Sequence, residues 1–137
     1  MTDLVRYPEQ MLDEIMLLAG SQDTFLSPED RIGVVNECFI LAAAGYYPPS
    51  VPFGLALSMK DEREAWVMNA IRLRLADQLD HWKKNKRITV ELKALMRKIF
   101  VPIAKTMTFD ARPNEVATAP VARAAAILGA MLGEDPK

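Results

Sequence analysis

The sequence predicts an all-α fold, a single-domain bundle of four to five helices built on one long central helix over about residues 59–84. Three observations carry this expectation. Apolar residues recur at three- and four-residue spacing along most of the chain, helix start and stop signals bracket those runs, and no period-two alternation is long enough to build a sheet. The one short alternation, Arg72-Leu73-Arg74-Leu75, lies inside a helical stripe. A length of 137 residues suits one domain of ordinary size, and a composition that is 50% apolar and 26% charged is globular rather than disordered.

The elements follow in order. Pro8 suits a first helical position, and Met11, Leu12, Ile15, Met16 and Ala19 recur on one face until Gly20. Ser27-Pro28-Glu29-Asp30 then supplies an N-cap, a proline at the first position and two carboxylates at the positive end of the dipole. That second helix runs over about 28–44, with Ile32, Val35, Phe39 and Ala42 on its stripe and Gly45 as its stop. Val34, Ile40 and Leu41 widen the stripe toward near-complete burial.

The long central helix is expected to begin near Ser58, with Asp61, Glu62 and Glu64 early and Lys83, Lys84 and Lys86 late, the charge order a helix dipole favours. Met68, Ile71, Leu75, Leu79 and Trp82 form its apolar stripe. Thr89 can cap a further helix that buries Leu92, Leu95, Met96, Ile99 and Ile103, and Pro102 is expected to kink or restart it. A loop over 108–118 leads to Thr118-Ala119-Pro120, which starts a last helix carrying Val121, Ala125, Leu128 and Leu132 inward.

Several classes of chemistry find no support. The single cysteine, Cys38, permits neither an internal disulfide nor a four-cysteine zinc site, and reads as a small buried hydrophobe. His81 is the single histidine. Asp77 and Asp80 lie close by on the same helix, but three or four ligands are needed and no second histidine completes a metal site. Neither a glycine-rich phosphate loop nor a nucleophile elbow occurs. No cofactor is expected, and the chain reads as non-enzymatic. Residues 38–59 carry no charge and would be long enough to cross a bilayer as one helix, yet Gly45, Pro48, Pro49, Pro52 and Gly54 interrupt them. The opening Met-Thr-Asp-Leu-Val-Arg lacks the pattern of a secretory leader, so the expected location is cytoplasmic, without membrane contact.

Two features point outward. The net charge is only −1, but residues 1–37 hold eight acidic side chains against two basic ones, while residues 81–105 hold eight basic side chains against Glu91 alone. Either the two segments pair within the fold, or Lys83, Lys84, Lys86, Arg87, Lys93 and Arg97 form a patch for an acidic protein surface or for nucleic acid. A helix-turn-helix resemblance is loose, because the helix before the turn is too long for the compact unit. The second feature is the segment Tyr46 to Leu55, read as a loop: it is uncharged and stiffened by Pro48, Pro49 and Pro52. Tyr46, Tyr47 and Phe53 are its candidate partner-binding residues, since rigid aromatic loops lose little entropy on binding; the bland reading makes the segment a lid on the chain's own core. Eight methionines fill cores more often than they line binding faces. The sequence thus predicts a helical regulatory or interaction protein that binds another protein, with self-association as a homodimer included. The alternative is a nucleic-acid-binding regulator that uses the basic corner over 83–105.

Overall fold

A computed structural model describes residues 26–106 and 118–134. These residues form five α-helices and no strand, so the all-α expectation holds. The expected helix from Pro8 and most of the expected loop over 108–118 lie outside the described residues. The chain divides into two compact units, one ending at Glu62 and the other beginning at Arg63, and each is described by itself.

The first unit holds α1 (Pro28–Ala43) and α2 (Ser50–Ser58). α1 starts where the local signals place it. The Ser27 hydroxyl accepts from the Asp30 amide at 3.1 Å, and the Ser27 amide donates back to the Asp30 carboxylate at 3.4 Å, a capping box. It stops through Gly45, whose φ of +90° only glycine adopts cheaply. There Tyr46 N–H donates to Leu41 O and Gly45 N–H to Ala42 O, which satisfies the last carbonyls. Val35, Cys38, Phe39 and Leu41 are buried, but Ile40 lies outside, so burial of α1 is one-sided.

The loop reading holds for residues 46–49, and α2 corrects it for residues 50–55. Pro49 is the N-cap, and the first helical bond is donated by Phe53 N–H to Pro49 O. Ser50, Val51 and Pro52 therefore occupy the three positions whose amides have no intrahelical acceptor, and Pro52 costs the helix no hydrogen bond. Pro52, Leu55, Ala56 and then Met59 turn inward. Tyr47 is buried too, at 7% exposure, in a cluster with Leu41, Ala42 and Val51.

The central helix is shorter than its expected span of 59–84. Residues 59–61 form a turn and Glu64 is extended at the N-cap, so α3 runs over Ala65–His81. The cause is non-local. Arg31 of α1 grips Glu62 with both arms of its guanidinium, Nε to Oε1 at 2.6 Å and Nη2 to Oε2 at 3.1 Å, and both side chains are largely buried. Its Nη1 also donates to Leu26 O at 2.7 Å. A carboxylate held this way anchors the connection instead of serving the first turn of a helix.

α3, α4 (Lys86–Ala104) and α5 (Ala119–Leu132) make the second unit. α5 packs extensively on both α3 and α4, while α3 and α4 touch each other far less. Asn85, not Thr89, caps α4: its side chain accepts from Ile88 N–H at 3.2 Å. Thr89 lies one turn inside and donates its hydroxyl to Trp82 O at 2.9 Å, closing the α3–α4 turn. α4 runs through Pro102 and ends two residues later, so the proline sits in the final turn and no restart follows. Leu92, Met96, Ile99 and Phe100 are its buried residues.

Candidate functional site

α5 is the unusual element. Between Ala119 and Leu132 it carries one charged residue, Arg123, and is otherwise apolar around its whole circumference. Sequence periodicity puts Leu128 and Leu132 on the buried stripe with Val121 and Ala125. The structure turns the helix differently. Ala125, Ala126, Gly129 and Gly133 face inward, and Leu128 (42% exposed), Met131 (58%) and Leu132 face out.

The glycines show why. A Cβ on Gly129 would overlap the Phe100 ring, and one on Gly133 would lie 3.0 Å from Lys93 O and from the Arg97 amide nitrogen. Only residues without side chains let α5 come this close to α4. Small residues therefore define the seat, and the large side chains are left on the other side. Arg97 fixes the end by donating from Nη1 to Gly133 O, a cation on the terminal carbonyls of the helix. Pro120, Ala124, Leu128 and Met131, spaced by four, four and three residues, thus form an open stripe without charge.

The outer face of α3 carries Trp66, 55% exposed, and Leu73 seven residues on, followed by Asp77 and Asp80. α4 presents Lys86, Arg87, Val90, Glu91, Ala94 and Lys98.

The expected basic patch separates into two groups. Lys83, Lys84, Lys86 and Arg87 are all exposed around the α3–α4 turn. Lys83 lies 3.6 Å from Asp80 and Arg87 3.8 Å from Glu91, pairs so exposed that they add little stability. Lys93 and Arg97 are half-buried beside the end of α5. The expected aromatic trio separates as well: Tyr46 is exposed, Phe53 is half-buried, and Tyr47 belongs to the core of the first unit because the α1 cap turns it back onto Leu41. What the sequence reading passed over was the outer stripe of α5. The signal was present in Ala125, Gly129 and Gly133, small residues at four-residue spacing, which mark a close approach.

Reactive groups are sparse. Cys38 is buried and its thiol is pushed up to about 11 by desolvation, so it is no thiolate at neutral pH. His81 is exposed at the end of α3, edge-on to Trp82. Among the described residues no group of three or more His, Cys, Asp or Glu side chains could hold a metal ion, and no helix is long and apolar enough to cross a membrane. Arg72 donates from Nη2 to Asn69 Oδ1 at 2.7 Å, with its Nε buried and unpaired.

These features define an all-helical domain with an exposed apolar helix face. Residues 4–137 match the family model of the ERAP1-like C-terminal domain, and the chain belongs to that family. The family's fold is all-helical, in agreement with the five helices. No curated protein and no solved structure matches the chain.

Proposed function

We propose that this chain is a non-enzymatic helical interaction domain that binds another protein through the outer face of α5. The observation that carries the proposal is the inverted placement of side chains on that helix, small ones inward and Leu128, Met131 and Leu132 outward. A helix that is apolar all round is ordinarily covered on every side, and a contiguous apolar face left exposed on a folded unit marks an interaction surface. Membership in a family defined as a C-terminal domain fits a module that serves a larger assembly. That family is peptidase-related, so a peptidase chain is the first partner class to compare with what is captured. A cytoplasmic location is part of the same reading.

A photo-crosslinking amino acid at Met131 tests this in the cell of origin. One dominant protein adduct is expected there and none from the same probe at Ala94 on α4. Equal labelling from both positions, or none from either, overturns the proposal.

A second reading has its own observation: Lys83, Lys84, Lys86 and Arg87 are exposed together at one turn, a geometry that suits nucleic-acid phosphates. It predicts binding to random duplex DNA that falls with salt, with a slope of log affinity against log salt that shrinks by about one unit per basic residue reversed. DNA affinity that is unchanged by reversing Lys86 and Arg87 removes it.

A further inference from the structure

We draw no further inference here: the strongest candidate, the apolar outer face of α5 that carries Leu128, Met131 and Leu132, carries nothing beyond the interaction reading above, because nothing in the structure shows what covers it.

Discussion

α2 carries no charge and α5 only Arg123, and both helices hold a proline near the start and a glycine further on. They use their side chains in opposite ways. α2 turns Leu55 and Ala56 inward, with Met59 just beyond its end, and leaves Ser50 and Gly54 outside; α5 turns Ala125, Ala126 and Gly129 inward and leaves Leu128, Met131 and Leu132 outside. An apolar segment is therefore not yet a core segment. What decides is which residues line the contact. Large ones fill space between elements some distance apart, and small ones permit close approach and leave the bulk of the apolar surface for something else to cover.

The largest expected effect that sharpens this contrast is on stability. Leu55→Ala empties a fully buried position and should cost about 2–5 kcal/mol in chemical denaturation, whereas Leu128→Ala should stay within about 0.5 kcal/mol of the parent. Equal losses from the two would break the comparison. The glycines give the next effect, with opposite signs. Gly129→Ala forces a methyl group into the Phe100 ring and should destabilise by about 1–3 kcal/mol. Gly54→Ala meets nothing within 4 Å and should stabilise by about 0.5–1 kcal/mol through helix propensity. A stabilising Gly129→Ala would mean that α5 is not seated as described.

A smaller effect concerns how α5 ends. Arg97→Met removes the donor to Gly133 O but keeps much of the stem, and should lower stability by about 0.5–1.5 kcal/mol. Arg97→Lys recovers part of the loss if the charge on the terminal carbonyls matters and none if only the fork geometry does. The smallest is pH-dependent. The thiol of Cys38, raised from 9.0 to about 11 by burial, stays protonated in the folded chain after the unfolded chain has begun to ionise. Its contribution is intact below pH 9 and is lost as pH rises toward 11, and Cys38→Ala should flatten that part of the stability curve.

Much of the fold was legible because its signals are local. The capping box at Ser27 and Asp30, the stop at Gly45 and the proline start at Pro120 each depend on residues a few positions apart, and each appears where the sequence puts it. The failures have non-local or degenerate causes. The start of α3 was misplaced because Glu62 is claimed by Arg31, thirty-one positions away, and no helical pattern records that. The helix from Ser50 reads as part of the loop before it because three prolines cluster there, although Pro49 and Pro52 fall where a helix does not need their amides. The outer face of α5 was misassigned because a helix apolar on nearly all sides offers periodicity several equal solutions, and only the close packing of Gly129 and Gly133 breaks the tie. Among the candidate partner residues, composition alone could not tell Tyr46, which points outward, from its neighbour Tyr47, which does not.

The prolines of the first unit bear on how that unit comes to be folded. A helix of nine residues is too short to persist alone, because fixing its first turn removes the freedom of several dihedral pairs before any hydrogen bond returns the loss. At the N-cap Pro49 and at Pro52 ring closure has already confined φ near the helical value, in the unfolded ensemble as much as in the native one. Covalent structure therefore sets only two φ angles at the start of α2, and Pro52 biases Val51 before it toward extended backbone, so the first turn of this helix depends on the tertiary contacts that bury Leu55 and Met59.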